Sequence, residues 1–541
     1  MSTTTLKHPE IGEIKGQVGD GVHQFLGVQY GTIEDRFAES KVKSSYSSPV
    51  DATSHGPSSY YPPTAFDNEM GFIQQTLPKP VEKHSELECL NLNITVPQLS
   101  GSDGASRKLP VFIWQHGGGF ILGSNSWPHY DHAKLVKLAN EKGVPVIGVG
   151  INFRLGLSGL LTSEELRSHG YKTNNQFRDQ RTAFKWVKEY ISGFGGDPNN
   201  ITVIGESAGA VATTLHLYSK EKLFNRAIAT GGSALLVPPF PLEAYEGVYQ
   251  QVLGVFGLEN LSPEDRVQKL LSIPMEDIIG KMPPNIPFLP TIDGDIIPVR
   301  PSYAAVADPK DETMPAKHWL DGLAIGDGQF DGSVMGFMLG HRKANILQTF
   351  PESIKNSLSS SPQVAEKLLE AYGFTGPAAA KDDEAAFVNF LQFATDIGYY
   401  AATTSFARGW PENKKIFTWF FNEPNPWSGP FQGRTTHVLD VVFLFQNFND
   451  KLPAEQRAAA EGFAVDLMKF VSGQEPWPAY SPTHKTAKVF GPSKGESAPV
   501  TKVVDDAEGE ETKRGLVILE LGKEVGFDKL AEVFGRFQMG M

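Results

Sequence analysis

Three groups of residues in this chain have types and spacing suited to acyl chemistry: a serine between glycines, a glycine triplet and a late histidine. Residues 201–215 read ITVIGESAGAVATTL. Ile201, Val203 and Ile204 give a β-branched strand, Gly205-Glu206-Ser207-Ala208-Gly209 a turn, and residues 210–215 a helix. A serine at the apex of a sharp strand-to-helix turn exposes its hydroxyl, and the helix behind it offers free N–H groups to developing negative charge. Glycines two residues to either side leave room for the tight backbone that holds such a serine in strained φ/ψ space. Ser207 is the candidate nucleophile. A second match to the pattern, Gly491-Pro492-Ser493-Lys494-Gly495, serves as a control. Pro492 lies inside it, Pro499 follows, no strand is expected to lead in, and no histidine lies downstream, so Ser493 reads as a loop serine.

An acyl-transfer site also needs donors for an oxyanion, and His116-Gly117-Gly118-Gly119-Phe120 after the strand at 109–115 supplies them. Consecutive glycines let backbone N–H groups face outward with no Cβ in the way. The order of parts on such a scaffold is serine, then acid, then histidine. Downstream histidines stand at 216, 318, 341, 437 and 484. His216 is on the helix leaving the serine, and His318 and His341 crowd the acid candidates. His484 sits among polar turn residues. His437 follows a strong strand at 415–422 and a Pro/Gly-rich loop, where a general base is needed. The strand at 322–326 runs into Asp327-Gly328-Gln329-Phe330-Asp331, and both aspartates fit by spacing. Position favours Asp331, which lies further past the strand end; the other is expected to be a solvated or capping residue. Phe120, Phe288, Phe330 and Trp427 are candidate pocket walls. Arg154, Asp179, Arg181 and Asp197 read as structural charges.

These parts need a scaffold. Residues 11–37 alternate apolar and polar positions between glycines, as antiparallel strands do, and 38–85 reads as a long surface excursion. Strands are expected at 87–96, 109–115, 144–152 and 227–232, with an amphipathic helix at 176–191. Helices at 361–372 and 384–405 form a cap region; a charged segment at 491–514 is expected to be exposed; 516–519 reads as a terminal strand and 527–538 as a closing helix. Alternating strand and helix mean α/β: a mostly parallel sheet with N-terminal antiparallel strands, helices on both faces and helical insertions, in one domain spanning 1–541.

The net charge of −13 and the absence of a basic cluster exclude a nucleic-acid partner from the expectations. No apolar run approaches the ~20 residues that span a bilayer. The start, MSTTTLKHPEIGEIKG, lacks the apolar core of a signal peptide, and the end, RFQMGM, carries no retention or lipidation signal. Cys89 is the sole cysteine, so no internal disulfide can form. Sequons at Asn93, Asn200 and Asn260 carry little weight. A cytoplasmic protein is expected, with a small-molecule ester as partner and no metal or organic cofactor.

The chain resembles the type-B carboxylesterases, the cholinesterase-like group of the α/β-hydrolases. The likeness runs through GVQYG, LECLNLNITVP, HGGGF, INFRLGLSG, DQRTAFKWV, FGGDPNNITVIGESAGA, FLPTIDGDIIP, DGQFDGS and the His437 loop. It implies a serine ester hydrolase with Ser207, Asp331 and His437 as catalytic residues and the N–H groups of Gly118, Gly119 and Ala208 as the oxyanion hole. It places Asp331, not Asp327, as the acid, and gives Glu206 a position beside the nucleophile that is often acidic. There are four departures. The usual partner of Cys89 is missing, and no tryptophan precedes Trp114, which removes the choline-binding residue of cholinesterases. Gly231 replaces a serine common near the acid, and YGTIEDRF is shorter than its usual counterpart. A triad-dependent acyltransferase or lactone-processing enzyme shares the same parts, and so does a non-catalytic interaction protein that has lost its nucleophile.

Overall fold

The computed structural model describes residues 2–99, 108–493, 495 and 498–541. The turn-prone stretch SGSDGASRK, residues 100–108 between two expected strands, lies outside the described residues except for Lys108.

The elements that position the site follow in chain order. β1 (Thr3–His8), β2 (Gly12–Val18) and β3 (Val22–Gln29) form the N-terminal meander, and α1 (Ala65–Ile73) follows. Then come β4 (Asn91–Pro97), β5 (Leu109–Gln115), β6 (Ile147–Ile151), α2 (Asn175–Tyr190), β7 (Gly196–Glu206), α3 (Ala208–Leu215) and β8 (Arg226–Thr230). The second half supplies β9 (Gly322–Gly328), α4 (Pro362–Ala371), α5 (Asp383–Thr395), α6 (Ala401–Arg408), β10 (Lys415–Phe421) and α7 (Leu439–Phe445). It closes with β11 (Ala487–Phe490), β12 (Thr501–Val504), α8 (Val517–Val525) and α9 (Phe527–Met539).

The main sheet runs β1-β2-β3-β4-β6-β5-β7-β8-β9-β10-β11-β12, with the short Val50–Asp51 strand beside β2. β6, β5, β7, β8, β9, β10 and β11 are parallel neighbours; β1 to β4 and β12 pair antiparallel. This is the α/β-hydrolase architecture. The parallel strands are buried on both faces, which accounts for their continuous apolar text. Their register aligns the carboxyl ends: Gln115 faces Gly205, Glu206 faces Thr230, Thr230 faces Gly326, and Gly328 faces Phe421. Ligands of open parallel sheets bind beyond that edge.

Four expectations are corrected. The excursion at 38–85 contains α1, which buries Phe66, Glu69, Met70 and Ile73; its period is helical but too short to stand out from its Pro- and Ser-rich flanks. Residues 516–519 begin α8, because Ile518, Leu519 and Leu521 share one buried side of a helix that continues to Val525. The segment 491–514 is only partly exposed: β12 extends the sheet edge, and Ser493, Thr512 and Arg514 are buried. A strand, β11, does lead into Ser493, whose hydroxyl donates to the buried Glu423 carboxylate at 2.5 Å.

The contact between β5, β7 and α3 explains the glycines of the elbow. A Cβ on Gly205 would lie 2.2 Å from the Gly209 carbonyl oxygen, and one on Gly209 would lie 2.2 Å from that of Gln115. Both obstacles are backbone, so neither can turn aside. Gly209→Ala is expected to lower stability by about 1–3 kcal/mol or more, read as a fall in the urea midpoint. A midpoint equal to that of the parent chain would show that α3 and β5 can separate freely.

Candidate active site

Ser207 sits between β7 and α3 with φ 53° and ψ −124°, a region that non-glycine residues rarely occupy. Its neighbours in the elbow are buried, while Ser207 itself is partly open to solvent. The strained turn is fixed on both sides: its N–H donates to the Thr230 carbonyl at 3.1 Å, and its own carbonyl accepts from Val211 N–H at 2.9 Å. Ala208 is the first residue of α3, so its N–H has no partner within the helix.

The glycine triplet lies across from it, after β5. Gly118 (φ 96°) and Gly119 (φ 60°) are left-handed, and a Cβ on Gly118 would strike the Leu122 carbonyl oxygen at 2.2 Å. The space over Gly119 is open. Among the described residues, the N–H groups of Gly118, Gly119 and Ala208 donate no hydrogen bond. A Cβ on Gly117 would lie 3.0 Å from Ser207 Cβ, so the triplet and the serine face the same small volume.

Asp331 and His437 meet beyond β9 and β10. His437 Nδ1 lies 2.9 Å from Asp331 Oδ1, both side chains buried. Their loops are tied together: Phe330 N–H donates to the Thr435 carbonyl at 3.1 Å, and His437 N–H donates to Ser333 Oγ at 3.0 Å. A cation sits on the clasp as well, with the Arg434 guanidinium 4.6 Å from the Phe330 ring centre. Val438, next after the histidine, has φ 69°, which a β-branched residue avoids unless its surroundings impose it. The glycines at 231 and 232 join the halves of the site. A Cβ on Gly232 would lie 2.7 Å from the Ser207 carbonyl oxygen, and one on Gly231 3.3 Å from His437 Cε1.

Asp327, expected to be solvated, is buried and paired with Arg514 at 3.1 Å. Burial pushes its carboxyl up to about 7 despite that cation. His216 turns away to Gln180, His484 is exposed, and Arg154 forms a buried two-pronged pair with Asp179. Phe120 and Phe288 share one apolar cluster with Ala208. Phe330 packs on Phe431, and Trp427 packs on Phe448.

The electrostatics behind the serine were only partly legible. Glu206 is buried with Oε1 3.1 Å from His437 Nε2, and neither atom has a hydrogen-bond partner among the described residues. Burial, followed by the charges of Glu69, Asp440 and Asp331, raises Glu206 well above the ordinary carboxylate value. Sequence reasoning missed Glu69 and Asp440. Glu69 comes from α1, accepts the Tyr130 hydroxyl at 2.6 Å and lies 3.5 Å from His129. Asp440, on α7, accepts from Thr230 Oγ1 and is pushed up to about 6 by burial and by Asp331. A lone charge inside VLDVVFLF was the available signal for Asp440.

Residues 3–492 match the model of the carboxylesterase family. The chain belongs to the carboxylesterase family. It is 27% identical over 515 residues to the para-nitrobenzyl esterase of Bacillus subtilis, covering 92% of this chain and 94% of that one. An inactive carboxylesterase-like protein of Byssochlamys spectabilis is 32% identical over 313 residues, 53% of this chain and 51% of its own. The crystal structure of a Geobacillus stearothermophilus carboxylesterase superimposes with a TM-score of 0.71 at 25% identity, covering 94% of this chain and 99% of that one. This carboxylesterase is thus an enzyme of carboxylic-ester hydrolysis, and no described helix is long and apolar enough to cross a membrane.

The raised Asp440 carboxyl has a sign that can be checked. A carboxyl held above its unfolded value stabilises the fold while protonated and loses that contribution as pH rises through its folded value, here about 6. Between about pH 5 and pH 8 this carboxylesterase should therefore lose more stability than Asp440→Asn, by about 1 kcal/mol. Urea midpoints at the two pH values measure this; parallel losses would mean that Asp440 is ionised throughout.

Proposed function

We propose that this carboxylesterase works through an acyl-enzyme on Ser207, with His437 as general base and Asp331 as the carboxylate that orients it. Ser207 Oγ attacks the ester carbonyl carbon and gives its proton to His437 Nε2. The carbonyl oxygen, now negative, sits against the N–H groups of Gly118, Gly119 and Ala208. A preorganised donor of this kind contributes about 3–4 kcal/mol to the transition state. Asp331 holds His437 Nδ1–H, fixes the tautomer and stabilises the imidazolium. His437 then protonates the departing alcohol, and water, deprotonated by the same ring, clears the acyl group. Phe120 and Phe288 are proposed as apolar walls of the site, with Glu206 beneath it.

The observation that carries this reading is the 2.9 Å contact between His437 and Asp331, formed next to a serine held at φ 53°. His437 Nε2 has no hydrogen-bond partner among the described residues, which leaves it free for Ser207 Oγ, and catalytic hydrogen bonds often form only once substrate binds. The single buried thiol, Cys89, supports a reducing compartment and hence a cytoplasmic site of action.

A panel of p-nitrophenyl esters tests the assignment. Ser207→Ala should lose nearly all activity, and Asp331→Asn should lower kcat by about 10⁴-fold with the fold intact. Ester hydrolysis that survives Ser207→Ala would place the nucleophile elsewhere.

A further inference from the structure

Three consecutive residues of the C-terminal segment, Thr512, Lys513 and Arg514, close over the turn that carries Asp331. The Thr512 carbonyl accepts from Asn422 Nδ2 at 3.0 Å, just past the end of β10, and the Lys513 carbonyl accepts from Gln329 Nε2 at 2.8 Å. Lys513 has φ 61°, left-handed backbone that a lysine adopts only where its surroundings hold it. Arg514 then runs inward. Its side chain is 1% exposed, and its guanidinium lies 5.1 Å from the ring centre of Phe420 on β10.

Arg514 Nη2 donates to the Asp327 carbonyl at 2.6 Å and lies 3.1 Å from Asp327 Oδ1. The shorter contact is thus to the carbonyl, which a plain ion pair would not need. That carbonyl and the Gly328 N–H belong to one peptide unit. The N–H in turn donates to Asp331 Oδ2 at 2.5 Å, and Asp331 Oδ1 lies 2.9 Å from His437 Nδ1. A peptide unit is planar and rigid, so fixing its carbonyl fixes the direction of its N–H. Hydrogen bonds in such a chain also polarise one another, and a cation at the oxygen makes the N–H a stronger donor. One buried cation is therefore two hydrogen bonds and one peptide away from the carboxylate beside His437.

Resting on the reading of Asp331 as the orienting acid, we propose that Arg514 is a positioning residue for ester hydrolysis: through the 327–328 peptide it aims the Asp331 carboxylate at His437 Nδ1. The guanidinium touches neither substrate nor imidazole. Its part is to hold Asp331 Oδ2 in place, so that Oδ1 is presented to the ring. Without that hold the carboxylate turns about its Cβ–Cγ bond, and His437 loses its orientation. A misplacement of about 1 Å among reacting groups costs up to about a hundredfold in rate. The loss falls on kcat, because nothing that binds the ester has moved. The C-terminal segment is thereby part of the working site as well as of the sheet edge.

Steady-state kinetics with p-nitrophenyl acetate, paired with urea midpoints, test this. Arg514→Met keeps much of the side chain's length and removes its donors. It should lower kcat by about tenfold to a hundredfold with KM within about twofold. It also leaves Asp327 buried without its cation, which lowers stability. Combining it with Asp327→Asn removes that unpaired charge and keeps the carbonyl at 327. The double variant should regain most of the lost midpoint while kcat stays low. Recovery of both would make Arg514 a stabilising group only and would overturn the proposal. In Asp331→Asn there is no carboxylate to aim, so adding Arg514→Met should change kcat by less than about twofold. A further loss as large as in the parent chain would also overturn it. Asp331→Asn as active as the parent would remove the acid assignment and this proposal with it. A large loss in Asp331→Asn beside an unchanged kcat in Arg514→Met would remove this proposal alone.

Discussion

The backbone of Ser207 is held where few side-chain-bearing residues go, and the rest of the site depends on that constraint. A φ of 53° with a ψ of −124° costs on the order of 1–3 kcal/mol and persists only where packing over-determines it. The packing responsible is backbone against backbone: Gly205 under Gly209, and Gly209 against the end of β5. Those contacts bring the α3 N-terminus, the glycine triplet and the serine into one small volume. Sheet stability is in effect converted into the position of one hydroxyl.

The same device recurs around the site. Eight non-glycine residues have positive φ among the described residues, and Phe120, Ser207 and Val438 are three of them. Phe120 follows the glycine triplet proposed as the oxyanion loop, Ser207 is the proposed nucleophile, and Val438 follows the proposed base. The other five include asparagines, glutamines and a lysine; these three are aromatic, hydroxylic and β-branched, for which strain is less easily tolerated. Strain placed next to reacting groups is consistent with loops held in geometry for chemistry. Four acidic side chains, Glu69, Glu206, Asp331 and Asp440, surround His437 in buried space. Such crowding is tolerable only if some of them hold protons, and the raised values of Glu206 and Asp440 answer that need.

Much of the fold was legible because its signals are local. The β-branched run at 201–204, the triplet at 117–119 and the aromatic strand at 415–421 each announce themselves within a few residues. The Asp331–His437 contact could be reduced to a short list by chain order, yet it joins residues 106 apart, and no local pattern states it. The fate of Asp327 was illegible for the same reason: its partner, Arg514, arrives 187 residues later, from a segment whose charged composition suits solvent. α1 was missed because its buried face is short and set among prolines. With it went Glu69, which approaches the site from α1.

The central claim is that one hydroxyl, and no other, is primed for attack. Treatment with diethyl p-nitrophenyl phosphate, followed by intact-mass measurement and peptide mapping, tests it most directly. The account predicts one phosphoryl adduct per chain, on the peptide that carries Ser207, with p-nitrophenol released in equal amount. An adduct on Ser493 or any other residue, or no adduct at all, would contradict it.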